Sequence, residues 1–223
     1  MTEIEFELLD RATRRPMSVP IEEVLLAGYT GRDQAGVMAH IRELETLGVA
    51  PPPRVPMVYV APPELLSTGN RIDVRAPHTS GEVEFFLVPR QDGLLVGVGS
   101  DHTDRDAEAV DVAQSKRLCP KVLSRQVWRH ADIADHWDQL EISAWVTCKG
   151  ERTLYQHGTL GEFLSVDALL EEIRRAGHTN LAGRLIFGGT LAVAGGFVYS
   201  DRFECRLHDP VLDRSLTCDY TIG

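Results

Sequence analysis

The sequence has few cations relative to its anions, and this balance excludes one large class of proteins. Lysine and arginine together number 23, aspartate and glutamate number 33, and the formal net charge is −10. Binding to a phosphate backbone requires clustered positive charge, and no stretch of the chain resembles a basic patch. We therefore expect no nucleic-acid partner.

Long apolar runs and paired cysteines are also missing. No apolar run reaches the length of a membrane span, and LAVAGGFV at 191–198 is both short and glycine-rich. The N-terminal stretch MTEIEFELL is acidic and alternating, which is not the pattern of a signal peptide. The four cysteines show no C-x-x-C spacing. We expect free, buried thiols in a cytoplasmic protein with no membrane partner.

What the sequence does contain is the composition of an ordinary globular protein. Of its 223 residues, 43% are hydrophobic and 25% are charged, which supports a sizeable core. Strand patterns outnumber helix patterns, so we predict a single β-rich α+β domain over residues 1–223. Strands are predicted at 3–10, 17–27, 57–61, 82–88 and 94–99, in a hairpin at 141–158 and from residue 185 onward, with a turn at 11–16 and helices at 34–48 and 165–178.

Two glutamates stand two residues apart in GEVEFFLV, on a strand that is otherwise apolar. Successive side chains point to opposite faces of a strand, so Glu82 and Glu84 share one face. Buried neighbouring carboxylates resist ionisation unless a positive charge lies between them. The N-terminal strand has the same spacing at residues 3, 5 and 7, where it predicts a solvated acidic face. The pattern alone therefore favours an exposed face, and a metal site needs further ligands.

A third carboxylate, Asp101, directly follows the apolar stretch LLVGVG. A residue that emerges from the end of a buried strand is well placed to face a cleft. Together with Glu82 and Glu84 it makes a set of oxygen ligands, which suits Mg²⁺, Mn²⁺ or Ca²⁺ rather than Zn²⁺. Three carboxylates leave coordination positions open for water and substrate, so a catalytic site is more plausible than a structural one.

Seven short segments follow one another across residues 28–223. They are AHIRELE with His40 and Glu43, VPMVYVAP, GEVEFFLV, SDHTDRDAE, QSKRLCPK with Lys116, CKGERTLYQ with Gln156, and LIFGGTLAVAGG with Thr190. In this order they resemble the motifs of the fumarylacetoacetate hydrolase superfamily. SDHTDR and CPK resemble a group of bacterial proteins known as DUF2848.

The resemblance implies a fold and an organisation of the chain. It implies a fumarylacetoacetate hydrolase-like mixed β-roll or sandwich with a few short helices. Residues 1–27 would form N-terminal strands, 32–48 a lid with a helix, and 79–223 the catalytic β core. Members of the superfamily commonly form dimers, so the resemblance also implies a homodimer.

The resemblance further implies a chemistry. Glu82, Glu84 and Asp101 would hold Mg²⁺ or Mn²⁺, with Ca²⁺ as a further possible ion. The metal would bind an α-keto acid and stabilise the enolate that forms when a neighbouring bond breaks. His40 would act as the general base, and Glu43 would orient it. Lys116 would neutralise negative charge on the substrate or transition state. Gly189 and Thr190 would bind the substrate carboxylate.

Each of these residues also has an ordinary explanation. The His40–Glu43 pair has the spacing of a common pair on a helix surface, and Lys116 is by default a solvated cation. Asp101 could be a turn residue, and the glycines before Thr190 could form a β-bulge. Lys121 lies only five residues beyond Lys116, so either lysine could enter the site.

The chain also departs from the family pattern. Ala61, Glu108 and Leu191 stand where the family usually has lysine, glutamine and proline.

The first hypothesis is a metal-dependent hydrolase that cleaves a carbon–carbon bond in a β-diketo or acylpyruvate-type acid. The alternatives are a decarboxylase, an isomerase or a dehydratase of related keto acids, or a catalytically silent binding member.

Overall fold

The computed structural model describes residues 1–10, 13–46, 51–193 and 195–223, except for the side chains of residues 40, 43 and 44. The chain is mostly β-structure with a few short helices, as predicted. The strands are β1 (Thr2–Asp10), β2 (Thr13–Ile21), β3 (Glu23–Gly28), β4 (Met57–Ala61), β5 (Leu66–Ser67), β6 (Arg71–Ile72), β7 (Thr79–Ser80), β8 (Val83–Arg90), β9 (Gly93–Asp101), β10 (Thr103–Asp104), β11 (Lys121–Leu123), β12 (Gln126–Arg129), β13 (Glu141–Cys148), β14 (Glu151–Thr159), β15 (Arg184–Thr190), β16 (Arg202–Asp209) and β17 (Arg214–Ile222).

The helices are few and mostly short. The α-helices are α1 (Gln34–Thr46), α2 (Arg105–Glu108), α3 (Val112–Ser115) and α4 (Val166–Arg175), and the 3₁₀ turns are Pro63–Leu65, His130–Asp132, Ala134–Gln139 and Leu160–Glu162. None of the helices in the described ranges is long and apolar enough to cross a membrane.

Two large sheets make up the fold. The larger has ten strands in the order β2-β1-β12-β9-β8-β15-β3-β4, with β11 pairing β9 and β5. The smaller has five strands in the order β14-β13-β16-β17-β6. Strands β8 and β9 lie near the middle of the larger sheet and form an antiparallel pair, from Val83 opposite Ser100 to Arg90 opposite Gly93. Glu84 and Asp101 therefore lie on adjacent strands, and Glu82 lies directly before the first of them.

Two clusters of buried apolar side chains surround the middle of the larger sheet. One cluster combines side chains of both sheets with those of α4. Every member of the other cluster lies on a strand of the larger sheet, which therefore curls around these side chains. The larger sheet is covered on both faces at β8, so this strand has no solvated side.

Strand β8 shows this double burial in its aromatic residues. Phe85 faces the first cluster, where its ring meets Trp137 edge-on at a centroid distance of 5.3 Å. Phe86 faces the second cluster, with its ring centroid 5.9 Å from that of Phe6 and 6.1 Å from that of Phe187. Burial of each phenylalanine contributes about 1.5–3 kcal/mol relative to exposure. Because Glu82 and Glu84 share the face of Phe86, they are drawn into the protein rather than left in water.

The helices and the hairpin predicted from local patterns are present. Helix α1 begins after Asp33, whose carboxylate accepts a hydrogen bond from Gly36 N at 3.0 Å. Helix α4 begins after Ser165, whose hydroxyl accepts one from Ala168 N at 3.3 Å. The hairpin turns through Lys149 and the following glycine, both with positive φ, as the favoured two-residue turn requires. Residues 47 and 48, at the end of the predicted first helix, lie outside the described residues.

Some predicted boundaries are wrong. The chain resumes a strand at Thr13, so residues 13–16 of the predicted turn belong to β2. The predicted strand at 17–27 is two strands, which end and begin on either side of Glu22. Strand β9 runs on to Asp101, so this residue is the last of the strand rather than a residue that follows it. The division into N-terminal strands, lid and catalytic core stays a prediction.

Candidate metal centre

Three carboxylates meet at one end of the β8–β9 pair. Glu82 immediately precedes β8, Glu84 is its second residue, and Asp101 ends β9. One ligand oxygen from each lies within 4.8 Å of those of the other two. All three are buried, and Asp101 is only 1% exposed. The structure therefore brings together the three ligands that the sequence predicted.

Both candidate lysines reach this group. Lys116 follows α3, and its Nζ lies 2.7 Å from Glu82 Oε2 and 2.8 Å from Asp101 Oδ2. Lys121 begins β11, and its Nζ lies 2.5 Å from Asp101 Oδ1 and donates to the backbone oxygen of His102 at 2.7 Å. The sequence left open which of the two lysines enters the site. In the structure both do, because each contacts a different oxygen of Asp101.

Arg105 is a third cation at the site. It is buried at the start of α2, and its Nη1 lies 2.8 Å from Glu82 Oε1 and 2.6 Å from Glu108 Oε2. The neighbouring carboxylate of Asp106 pairs with His78 instead. The arginine thus ties the first glutamate to the position where the family usually has glutamine.

The three cations hold two of the carboxylates in their ionised form. Burial pushes the pKa of Glu82 upward, but Lys116 and Arg105 outweigh it, and the pKa lies below the ordinary value. Burial acts in the same way on Asp101, and there Lys116 and Lys121 bring the pKa below its ordinary value. Burial alone would lower the pKa of Lys116, yet the surrounding carboxylates raise it well above the ordinary value. Lys116, Glu82 and Asp101 are therefore all charged near neutral pH.

Glu84 differs from its two neighbours. Burial raises its pKa well above the ordinary value, and the charges of Asp101 and Glu82 raise it further. Its Oε2 accepts a hydrogen bond from Gly189 N at 2.7 Å. Among the described side chains, no cation lies within ion-pair distance of this carboxylate. Glu84 is therefore the member of the group whose charge is least compensated.

The segment beside Glu84 is a bulge. The pairing of β15 with β8 shifts register between Phe187 and Thr190, and Gly189 has a φ of +104°. The β-bulge considered for the glycines before Thr190 is therefore present. The Thr190 hydroxyl donates to Val83 O at 2.8 Å and accepts from Gln156 Nε2 at 2.9 Å. Gly189 therefore holds the Glu84 carboxylate, and Thr190 holds the backbone of β8. The predicted role of these two residues in binding a substrate stays a prediction.

Several aromatic residues at the edge of the site were not predicted. Tyr29 lies close enough to Glu108 and Lys116 for their charges to act on its phenol, and burial raises its pKa. Tyr59 lies beside it, and burial raises the pKa of Tyr59 to about 12. The half-exposed ring of Phe197 covers the Arg105 guanidinium at 4.0 Å. The sequence signal for Tyr29 and Phe197 was a glycine directly before each, and Tyr59 had no such neighbour.

The predicted general base cannot be placed against the carboxylates. His40 and Glu43 both lie on α1, so the helical spacing of H-x-x-E is confirmed. Their side chains lie outside the described part of the chain, and the proposed pair stays a prediction. His102, beside Asp101, is fully buried and bonds Thr79 Oγ1 and Tyr220 OH, each at 2.9 Å. It is part of the core rather than of the site.

Burial also distinguishes the tryptophans and the cysteines. Trp128 and Trp137 are core residues, whereas Trp145 is half-buried with the guanidinium of Arg152 over its ring at 4.3 Å. The four cysteines are free thiols, as expected. Three of them are buried, but Cys148 is only half-buried, so the expectation of burial fails there.

The group of three carboxylates fits a divalent cation by its chemistry. All donors are oxygens, which Mg²⁺, Mn²⁺ and Ca²⁺ prefer. Their mutual spacing lets one ion contact all three. The poorly compensated carboxylate of Glu84 adds a physical reason for a further positive charge at this position. The residues present therefore suit such an ion, although nothing in the geometry selects among the three metals.

Comparison with known proteins supports the resemblance found in the motifs. A family model described as "Protein of unknown function (DUF2848)" matches residues 27–220. No curated protein matches the chain at a significant level.

Solved structures show the same fold at low sequence identity. A candidate fumarylacetoacetate isomerase/hydrolase from Oleispira antarctica has a TM-score of 0.68 and 19% identity, covering 98% of this chain and 99% of its own. A candidate fumarylpyruvate hydrolase from Burkholderia cenocepacia has a TM-score of 0.64 and 17% identity, covering 100% and 96%. The 2-hydroxyhepta-2,4-diene-1,7-dioate isomerase from Mycobacterium marinum has a TM-score of 0.64 and 17% identity, covering 95% and 81%. The predicted fumarylacetoacetate hydrolase-like fold is confirmed.

Proposed function

The chain belongs to the DUF2848 family, and from its carboxylate group we propose that it is a divalent-metal-dependent enzyme that acts on a small keto acid. The observation that supports this most directly is the buried set of Glu82, Glu84 and Asp101. Burial of three carboxylates together costs free energy unless cations compensate for them. Within the described residues, Glu84 has no cation in direct contact and its pKa stays raised, and a divalent ion would supply the missing positive charge.

The protein's own residues hold and shape this site. Arg105 fixes one oxygen of Glu82, and Lys121 fixes one oxygen of Asp101. When bound, a divalent ion supplies Lewis-acid stabilisation of negative charge on the oxygens of a keto acid. Tyr29 and Tyr59, whose pKa values are raised, keep their protons near neutral pH and are available as hydrogen-bond donors at the edge of the site.

We assign the proton transfer to His40, with Glu43 as the residue that orients it. The two positions lie three residues apart on α1, where helical geometry lets side chains meet. A histidine carries a proton in either direction between pH 5 and 8, and a carboxylate partner fixes its tautomer. This assignment rests on the sequence motif and on the position of both residues on α1.

The reaction we favour is hydrolysis of a carbon–carbon bond in a β-diketo or acylpyruvate-type acid. Structures with this fold include proteins named as a hydrolase, an isomerase and a 2-keto-3-deoxyarabinonate dehydratase. Decarboxylation, isomerisation and dehydration of a keto acid are therefore the alternatives. Mass spectrometry of the products separates them, because hydrolysis adds water, decarboxylation loses carbon dioxide, dehydration loses water and isomerisation leaves the mass unchanged.

A catalytically silent binding protein is the second candidate, and one observation favours it. The ammonium of Lys116 already lies against Glu82 and Asp101, so the carboxylates have a positive charge without any metal. A silent member would keep this arrangement permanently.

By resemblance we also expect a homodimer, for which light scattering would give twice the 24.7 kDa of one chain.

Thermal unfolding tests whether the site binds metal. Chelator-treated protein is heated alone and with Mn²⁺, Mg²⁺ or Ca²⁺, as wild type and as Glu84→Gln, which keeps the side-chain shape and removes the charge. A ligand that binds only the folded state raises the unfolding midpoint. We expect Mn²⁺ or Mg²⁺ to raise the midpoint of the wild type by several degrees and to leave that of Glu84→Gln almost unchanged.

The matched control is Glu5→Gln, because Glu5 lies in the other E-x-E segment and is exposed. This variant must respond to metal as the wild type does. Oxalate and pyruvate are then added with and without metal, and they should bind only when metal is present. If no metal shifts the wild-type midpoint, the enzyme proposal fails and the silent binding protein becomes the better hypothesis.

A further inference from the structure

Two lysines contact Asp101, but only one of them lies between two of the proposed metal ligands. Lys116 Nζ is 2.7 Å from Glu82 Oε2, 2.8 Å from Asp101 Oδ2 and 3.2 Å from Thr103 Oγ1. An ammonium at these distances fills its hydrogen-bonding directions with carboxylate and hydroxyl oxygens. It therefore has the surroundings of a bound cation, supplied by the chain itself.

Lys121 is held differently. It lies on β11, which pairs with β9 at Asp101, and its side chain is fully buried. Its ammonium is shared between the carboxylate of Asp101 and the backbone oxygen of His102. His102 lies between β9 and β10 and is itself fully buried, so its backbone oxygen has little freedom to follow the lysine and this ammonium is fixed in place.

Lys116 stands on a much less constrained segment. It follows the four-residue helix α3, and the segment 105–118 has an outward side that is open to solvent. Val110 is 89% exposed and Leu118 is 48% exposed, so little apolar packing fixes this segment. Segments with few buried apolar contacts open at low free-energy cost. Lys116 is itself buried, but of the two lysines it is the one whose segment can move more easily toward solvent.

A second partner for the ammonium lies nearby. Glu108 Oε1 is 3.8 Å from Lys116 Nζ, and the side chain of Glu108 is 22% exposed. A short movement toward the solvent side would exchange the two buried oxygens for this carboxylate. Glu108 stands where the family usually has glutamine, so the chain has a negative charge at the position to which the lysine would move.

We propose that Lys116 takes the place of the divalent ion in the metal-free protein and withdraws toward Glu108 when the metal binds. This inference rests on the proposed function, because it requires that the carboxylates bind a metal. It makes Lys116 a positioning residue that keeps Glu82 and Asp101 together in the absence of metal. It also sets the metal affinity, since every metal ion must replace an existing pair of charge-assisted hydrogen bonds.

Metal affinity is the first test. Mn²⁺ binding to chelator-treated protein is measured by calorimetric titration for wild type and Lys116→Met, which keeps the length of the side chain and removes its charge. We expect Lys116→Met to bind Mn²⁺ at least about tenfold more tightly. Without metal, its unfolding midpoint should lie below that of the wild type, and saturating Mn²⁺ should raise it by a larger amount. Lys149→Met, at the exposed third lysine of the chain, is the control.

Lysine reactivity in the wild type is the second test and does not depend on how a variant folds. The protein is treated with a small acylating reagent with and without Mn²⁺, and each lysine is followed by mass spectrometry of its peptide. We expect acylation of Lys116 to become several-fold faster when Mn²⁺ is present, while that of Lys121 and Lys149 stays the same. Lys116→Met could also bind Mn²⁺ more tightly only because one positive charge that repels the ion is gone. In that case the acylation rate of Lys116 in the wild type would not change when Mn²⁺ is added.

The outcomes separate this inference from the proposed function. If the wild type binds Mn²⁺, but Lys116→Met binds no more tightly and Lys116 becomes no more reactive, the inference fails and the metal site stands. If only Lys116→Met binds Mn²⁺, the lysine does take the place of the ion, and the proposed function of the natural chain fails. If neither protein binds metal, both are wrong.

Discussion

The side-chain oxygen of Gln156 accepts a hydrogen bond from Val83 N at 3.0 Å, and Val83 is the residue between the two site glutamates. The same amide donates through Nε2 to Leu191 O at 2.6 Å and to Thr190 Oγ1 at 2.9 Å. One buried side chain on the smaller sheet therefore fixes the start of β8 against the end of β15. The spacing of Glu82 and Glu84 relative to the bulge depends on this contact.

Replacement of Gln156 by leucine should therefore lower stability and disturb the site together. It leaves Val83 N buried without an acceptor, and such a loss costs about 1–3 kcal/mol. We expect the free energy of unfolding in urea to fall by that amount and Mn²⁺ binding to weaken. Gln139→Leu, at an exposed position, is the control. If Gln156→Leu is as stable as the control, the amide does not hold the strand.

The bulge should not accept a side chain at Gly189. A Cβ atom added there would lie 2.1 Å from Thr30 Oγ1, and the φ of +104° is unfavourable for any L side chain. Gly189→Ala should therefore destabilise the protein and move the backbone nitrogen that donates to Glu84. Gly196→Ala isolates the cost of the backbone conformation, because Gly196 has a φ of +93° and open space around it.

We expect Gly196→Ala to cost about 1–2 kcal/mol, the usual cost of left-handed backbone, and Gly189→Ala to cost clearly more. Chemical denaturation measures both. Equal losses of unfolding free energy in the two variants would show that the Thr30 side chain moves away from the added methyl group at no cost in stability.

Removal of the fixed lysine should be far more damaging than removal of an exposed one. Lys121→Met leaves Asp101 Oδ1 without its cation in a fully buried setting, and the loss of one partner of a buried ion pair costs about 3–5 kcal/mol. Lys149→Met should be nearly neutral. Urea unfolding of chelator-treated protein measures the difference, and costs within about 1 kcal/mol of each other would contradict the assignment.

His102 should make the folded state sensitive to mild acid. Burial lowers the pKa of His102 to about 3, and the charges of Lys121 and Arg105 add to this effect. Between that pKa and the unfolded value of about 6.5, the unfolded state binds a proton that the folded state does not. Stability is therefore full above about pH 6.5 and falls as the pH decreases, by up to about 1.4 kcal/mol per pH unit.

The variant His102→Gln lacks the titrating group and should lose less stability than the wild type between pH 6.5 and 4.5. Urea unfolding at several pH values measures the two slopes. His157→Gln, at an exposed position, should keep the slope of the wild type. Parallel slopes for wild type and His102→Gln would show that this histidine is not kept neutral by the fold.

Local signals were sufficient for the elements that the sequence located well. Helix α4 was predicted because Ser165 precedes residues with apolar helical spacing, and the turn at 149–150 because glycine there permits positive φ. Strand β2 was predicted to begin too late. Its first four residues are exposed and lie at the edge of the sheet, where backbone hydrogen bonds to β1 hold them without any apolar pattern. No property of these residues alone distinguishes them from a turn.

The sequence by itself determined that Glu82 and Glu84 face the same side, because side chains alternate along any strand. It determined the same for Glu3 and Glu5, yet the two pairs differ. The glutamates on β1 are exposed, whereas Glu82 and Glu84 at the start of β8 are buried. Tertiary structure decided this difference, as it decided that Lys116 and Lys121 both reach Asp101. The physical reason is that backbone alternation depends only on adjacent residues. Burial and charge pairing depend on atoms that folding brings together from distant parts of the chain.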